Sequence, residues 1–179
     1  MRLRKLKLKD APYMLEWMHD ESVVRNMETD FSRKTIDDCI KFIVASNRTV
    51  ENVHMGIVDS NDIYMGTVSL KNVDNITKSA EFAITLRKSA MGKGYALFGI
   101  QAIIQIGFKK INLNNIYWYV AKENIRALRV YDKNNYKRFQ ESLEALNCVV
   151  YNAKKDYVWY LVKNIDEALS LIHISEPTR

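Results

Sequence analysis

The sequence predicts a single α/β domain, and three observations lead there. Runs of alternating apolar and polar residues are interleaved with runs of helical spacing, in the order β-α-α-β-β-β-α-β-α-β-β. No linker, repeat or low-complexity stretch breaks that order, and 179 residues suffice for one domain with a substantial core. An apolar share of 47% beside 27% charged residues is ordinary for a globular chain.

The elements follow in order. Arg2 to Lys9 alternates and reads as a strand; it is basic, but no apolar stretch follows, so it does not read as a signal peptide. Asp10 caps a helix with Pro12 in its first turn and Tyr13, Met14, Trp17 and Met18 at helical spacing. A polar loop is expected from His19 to Arg33. Thr35 and Asp38 form a capping box opening a second helix, with Cys39, Ile40, Phe42, Ile43 and Val44 apolar. Val53–Val58 and Ile63–Leu70 flank Asp59–Asp62 as a hairpin, and a turn at Asn72–Thr77 leads into a strand at Ser79–Leu86. A helix follows over Gly94–Lys109, apolar enough to face a sheet. A strand at Ile116–Val120 precedes a helix capped by Asn124 and closed at Asn135, which tolerates left-handed backbone. Glu141–Tyr151 and Tyr157–Val162 form the closing hairpin. Residues 165–179 read as a tail outside the core, with the domain ending at 164.

Met91-Gly92-Lys93-Gly94-Tyr95-Ala96 lies between a strand pattern and the long helix. Two glycines allow the backbone to approach a ligand, and the helix turns its free N–H groups and positive dipole end toward the turn. That combination suits phosphate, although a tight connection alone would use the same residues. The turn is too short for a Walker loop and lacks the third glycine of a dinucleotide fingerprint.

About 30 residues further on, Asn124-Ile-Arg-Ala127-Leu-Arg-Val-Tyr131-Asp-Lys133-Asn-Asn135-Tyr136 resembles the N-x-x-A-x-x-x-Y-x-K-x-G-[FY] signature of the GNAT N-acetyltransferase superfamily. Met91–Ala96 resembles that superfamily's pyrophosphate-binding [Q/R]-x-x-G-x-[G/A] motif. The two stand in the family's order. The likeness spans roughly residues 1–162, is strongest over 79–139, and is nearest to the branch acting on ribosomal proteins and small amines. Two positions depart from the pattern: Ser89 stands for the usual Gln or Arg, and Asn135 for the usual Gly.

The resemblance implies a mixed, strongly twisted sheet of about seven strands with helices on both faces. It also implies direct acetyl transfer from acetyl-CoA to an amine, without a metal or a covalent enzyme intermediate. The donor would lie where two parallel strands, Phe82–Leu86 and Ile116–Val120, splay apart. Backbone groups of Ile84 and Leu86 would pair with the pantetheine amides, and the amides of Met91, Gly92, Lys93, Gly94, Tyr95 and Ala96 would hold the pyrophosphate. Asn124 would bond the pantetheine arm or serve as a helix cap, and Lys133 would sit near the phosphates. A backbone N–H at a strand bulge near Ile84 would face the developing oxyanion. Tyr131 matches the family tyrosine that protonates the departing thiolate, and Glu81 is the candidate base, acting through water. His19 and His54 are alternative bases that sit on no motif.

The acceptor is expected to be a small-molecule primary amine such as a polyamine or amino sugar, bound among Trp17, His19, Asp20, Glu21, Glu28 and Asp30. A protein N-terminus and a non-catalytic acyl-CoA-binding module are the alternatives. A net charge of +6 suggests nucleic acid, but the basic residues are scattered and no nucleic-acid signature accompanies them, so none is expected as a partner. Tyr95–Phe108 is too short to span a bilayer and is interrupted by Gln101 and Gln105, so no membrane partner is expected either. Cys39 and Cys148 show no metal spacing and suit a reduced, cytoplasmic setting. A homodimer is left open.

Overall fold

The structure, a computed structural model, describes residues 1–49, 52–139 and 156–174, with side chains through 171. The chain opens with strand β1 (Arg2–Lys5), then helices α1 (Ala11–Met18), α2 (Glu21–Val24) and α3 (Ile36–Ser46). Strands β2 (Val53–Val58), β3 (Tyr64–Asp74) and β4 (Ser79–Leu86) form a meander. Helix α4 (Tyr95–Lys110), strand β5 (Asn115–Ala121), helix α5 (Ile125–Lys133), strands β6 (Arg138–Phe139) and β7 (Tyr157–Val162), and helix α6 (Ile165–Ile174) complete it. Among the described residues the strands form one seven-stranded sheet, ordered β1-β2-β3-β4-β5-β7-β6. Every neighbouring pair is antiparallel except β4 with β5.

Each face of the sheet is covered by its own cluster, because alternate residues of a strand point to opposite sides. Ile57, Val68, Leu70, Phe82 and Trp118 pack against Ile100, Ile103 and Ile104 of α4. Each such side chain contributes roughly 1.5–3 kcal/mol on burial. On the other face Met14 and Trp17 of α1 and Cys39 and Ile43 of α3 pack around Tyr64. The Thr35–Asp38 capping box opens α3 as expected, with Thr35 N–H donating to Asp38 at 2.9 Å.

Several expectations need correction. The loop from His19 to Arg33 contains α2, whose N-cap Asp20 accepts from the Ser22 N–H at 2.9 Å. Asp10 stands at the start of α1 but does not cap it. Its carboxylate is fully buried and accepts from both terminal Arg4 guanidinium nitrogens, at 2.7 and 2.8 Å, and from the Lys7 N–H at 2.8 Å. Strand β1 therefore ends at Lys5, where the chain folds back into a single 3-10 turn at Leu8–Asp10. Strand β3 runs on to Asp74, and its one register irregularity against β4 lies between Lys71 and Asp74, so the bulge expected near Ile84 is not there. Residues 165–171 do not lie outside the core, since Ala168 and Leu171 of α6 are buried beside α4. The expected strand at 141–151 falls outside the described residues; its partner β7 is in place and also pairs with β6.

Candidate functional site

Strands β4 and β5 pair at only three positions: Ser79 with Asn115, Ala80 with Ile116, and Glu81 with Tyr117. Beyond them Phe82–Leu86 stay paired to β3, and Trp118–Ala121 stay paired to β7. The two strands therefore part, and the backbone groups on the inner edge of β4 have no strand partner. Such groups require a hydrogen-bonding occupant or water.

At the open end of this cleft stands the glycine turn. A 3-10 turn at Lys88–Ala90 leads into Gly92 (φ 74°) and Gly94 (φ 83°), the latter at the N-cap position of α4. Both backbone conformations are left-handed, which explains the residue type. The first recorded bond of α4 runs from Phe98 N–H to the Gly94 carbonyl, at 3.1 Å. Among the described residues no N–H from Gly92 to Ala96 donates to another protein group. A Cβ added at Gly92 would meet no atom within 4 Å, so the space beside it is open. The turn thus offers unpaired donors, a helix dipole and room, which fits a pyrophosphate.

A cavity of about 350 Å³ joins turn and cleft, lined by Ile84, Leu86, Met91, Gly92, Asn124 and Tyr131 among others. The Asn124 Oδ1 accepts from Ala127 N–H at 3.2 Å as the N-cap of α5, so cap and ligand roles are compatible: the Nδ2 amide stays available. Helix α5 closes on Asn135 at φ 61°, with Tyr136 N–H donating to the Tyr131 carbonyl at 3.1 Å. That C-terminal motif fixes the last turn, which carries Tyr131.

Tyr131 is only 5% exposed and lies among Trp118, Tyr160, Tyr136 and Phe82, with ring centroids 5.0–6.5 Å away. Burial, with Tyr136 and Tyr160 adding to it, pushes its phenol above the ordinary value, so it keeps its proton across the neutral range. The neighbouring Asp132 accepts from Tyr160 Oη at 2.9 Å and from Arg138 at 2.6 Å, which ties α5 to β7 and β6. Among the described residues, Trp118 Nε1 is buried without a hydrogen-bond partner.

Tyr131, Asn124 and Ile84 also line a second cavity, of about 360 Å³, which holds Glu81, Ala83, Tyr119 and Tyr157. A third, of about 450 Å³, opens toward α1 and α3 and shares Ala83, Ile84 and Thr85 with the second. The three spaces meet at β4.

The other expected residues fall as follows. Glu81 pairs with Lys71 at 2.6 Å and accepts from Asn72 Nδ2 at 3.1 Å, so both carboxylate oxygens are engaged. Lys93, Gly94 and Tyr95 belong to the turn, whereas Lys133 is exposed in the last turn of α5 and lines none of the three cavities. Arg87, two residues before Ser89, is drawn to Glu16 at 2.7 Å and to the Tyr64 carbonyl at 3.1 Å, away from the turn. Of the expected acceptor residues, Asp20 caps α2, Asp30 accepts from Ser32 N–H at 2.9 Å, and Glu28 accepts from Tyr157 Oη.

Sequence reasoning missed what α2 and α5 do together. Arg126 donates to the Ser22 carbonyl at 3.0 Å and also contacts Met91 Sδ, bridging α2, α5 and the glycine turn. Val23, Asn26 and Met27 consequently wall the first cavity. The available signal was Asp20-x-Ser22, a local cap in an apparently irregular stretch. Among the described residues no helix is long and apolar enough to cross a membrane, and no cluster of His, Cys, Asp or Glu could hold a metal ion.

Comparison with known proteins agrees with this geometry. The family model described as an acetyltransferase (GNAT) domain matches residues 1–137. An uncharacterized N-acetyltransferase p20 of Bacillus licheniformis is 28% identical over 145 residues, covering 77% of this chain and 79% of that protein. The spermidine N(1)-acetyltransferase of Escherichia coli K12 is 26% identical over 139 residues, covering 74% and 70%. In fold, the chain is similar to the crystal structure of spermidine N-acetyltransferase from Vibrio cholerae in complex with CoA and spermine, with a TM-score of 0.77 at 20% identity over 94% of this chain and 97% of that one. With the parted strands, the glycine turn and the buried tyrosine in place, the chain belongs to the acetyltransferase (GNAT) domain family and is an acetyl-CoA-dependent N-acetyltransferase.

Proposed function

We propose that the chain acetylates a small-molecule primary amine, with the pantetheine arm in the cleft between β4 and β5 and the amine entering from the side of α1 and α3. The carrying observation is that three cavities meet at Ile84 and Thr85 of β4, with the Tyr131 ring at the junction of two of them. The chain's own contributions are positional. Free β4 backbone groups align the thioester arm, the turn amides from Gly92 to Ala96 hold the diphosphate while the Met91 N–H, expected among them, donates to the Lys88 carbonyl at 3.2 Å, and Asn124 Nδ2 donates to the arm. Holding both reactants in one geometry supplies a large share of the acceleration. Tyr131 Oη donates to the departing sulfur, which leaves as a thiol.

The acceptor class rests on the relatives named for spermidine and on the mixed polar and aromatic lining of the third cavity. Spermidine is therefore the first acceptor to test, followed by amino sugars. Titration calorimetry with acetyl-CoA should give saturable one-to-one binding, weakened in the dephospho form. Gly92→Val should reduce that affinity at least tenfold, with a fall in melting temperature of roughly 2–12 °C from backbone strain. The new Cβ meets no protein atom within 4 Å and so enters the open space beside the turn, while its left-handed backbone costs about 1–3 kcal/mol. Retained wild-type affinity in Gly92→Val would remove the turn from the site.

A further inference from the structure

One row across the acceptor-side face of the sheet is polar. His54 on β2 pairs with Ser69 on β3, and Ser69 pairs with Ala83 on β4. Residues paired across strands share a face, about 4.8 Å apart, so these three form a line pointing toward the parted strands. All three line the cavity that opens toward α1 and α3. His54 Nδ1 lies 2.7 Å from Ser69 Oγ, and the ring stands edge-on to Phe42 of α3 with centroids 5.0 Å apart.

The charged groups facing the same cavity are Lys71, beside Ser69 on β3, and Lys34 and Asp38 at the start of α3. Lys71 is ion-paired with Glu81 of β4, and Asp38 is held in the α3 capping box. Burial above all, and Lys71 after it, hold the imidazole below its ordinary pKa, which leaves the ring neutral at neutral pH. The carboxylate expected to serve as base is less free: Glu81 is engaged by Lys71 and Asn72.

We propose that Ser69 and His54 form the proton-accepting pair of the reaction, an inference that rests on the amine-acceptor reading above. The ammonium N–H bond breaks as its proton passes to Ser69 Oγ, directly or through one water. The Ser69 hydroxyl proton passes at the same time to Nδ1 of His54. The amine gains its lone pair, the serine is unchanged, and the imidazole becomes an imidazolium that releases a proton to solvent from Nε2. The arrangement requires the tautomer with hydrogen on Nε2. Lys71 disfavours the imidazolium, so the proton is passed on and the pair resets.

The test uses the full chain with spermidine and glucosamine as amine probes. In His54→Gln, kcat should fall about 10²-fold, with acetyl-CoA affinity by calorimetry unchanged. Ser69→Ala should be comparably impaired, and the double variant no worse than His54→Gln alone. The acidic limb of kcat/KM should lie below about pH 6.5 in the wild type, because the base must be neutral to act and its pKa is depressed. That limb should vanish in His54→Gln, whereas a merely structural role would raise KM or lower stability and leave the limb in place. Wild-type kcat with an unchanged limb in His54→Gln overturns the proposal.

If the wild type binds acetyl-CoA yet acetylates neither probe, the acceptor reading has failed, and the pair is then judged without turnover. Proton NMR follows the His54 ring, identified among the three histidines by its absence in His54→Gln. A ring pKa moved by Ser69→Ala supports the coupling, and an unmoved one overturns it.

Discussion

Tyr131→Phe is expected to lower kcat by about 10²- to 10⁴-fold, the usual contribution of a positioned acid, while the Kd for acetyl-CoA stays nearly constant. The substitution removes one oxygen from a ring that remains packed among Trp118, Tyr136 and Tyr160. Burial and the neighbouring Tyr136 and Tyr160, with no hydrogen bond from a described residue, set the state of the Tyr131 hydroxyl, so its loss leaves no group orphaned and the fold should be indifferent. Steady-state kinetics paired with calorimetry separate the two effects. The pH dependence has a definite sign. The phenol must carry its proton to donate it, and burial raises its pKa, so the alkaline loss of activity assigned to it should begin above about pH 10. Unaltered turnover in Tyr131→Phe would mean that the thiolate leaves without help from this hydroxyl.

Asp10→Ala is expected to destabilise the fold by about 3–5 kcal/mol, because it strands a buried partner charge. For a chain of this size that corresponds to a fall in melting temperature of roughly 6–20 °C. Arg4 is 8% exposed and donates two bonds to Asp10, so truncation leaves its guanidinium in a site where water cannot replace the carboxylate. The Lys7 N–H loses its acceptor as well. Asp62 still accepts from Arg4 Nε at 2.7 Å, which places the expected value toward the lower end of the range. A melt shifted by less than 2 °C would mean that Asp62 alone satisfies Arg4. The pair matters to the site because it anchors the start of α1, whose Met14, Trp17 and Met18 wall the acceptor cavity.

What was legible in the sequence was what lies close together along the chain. The strand, glycine turn, long helix, strand and capped helix from Ser79 to Tyr136 switch period from 2 to 3.6 and back, with Gly92, Gly94, Asn124 and Asn135 as punctuation. All four stand where the structure uses them. The Thr35–Asp38 box was equally plain, since its donors and acceptors lie within one turn. Helix α2 was not, because four residues carry barely one period. Asp10 reads as a cap in the sequence because its actual partner, Arg4, is reached by folding β1 back on α1, and spacing does not show that. The ion pair that engages Glu81 depends on register: Lys71 faces it only because the β3–β4 irregularity comes after Lys71. The acceptor side drew on β2, β3, β4, α1 and α3 at once, and no local pattern reports such a convergence.

Three paired positions are all that β4 and β5 share, and through them β1–β4 is joined to β5, β7 and β6. The sheet is in effect two half-sheets stitched at one end. A ligand that bonded to the inner edge of β4 and also packed against β5 would splint that seam. Its binding free energy then adds to the cohesion of the molecule, by about 2.7 kcal/mol when its concentration is a hundred times its Kd. Those backbone amides of Phe82–Leu86 that face the seam rather than β3 would exchange with solvent slowly when the ligand is bound and quickly when it is absent.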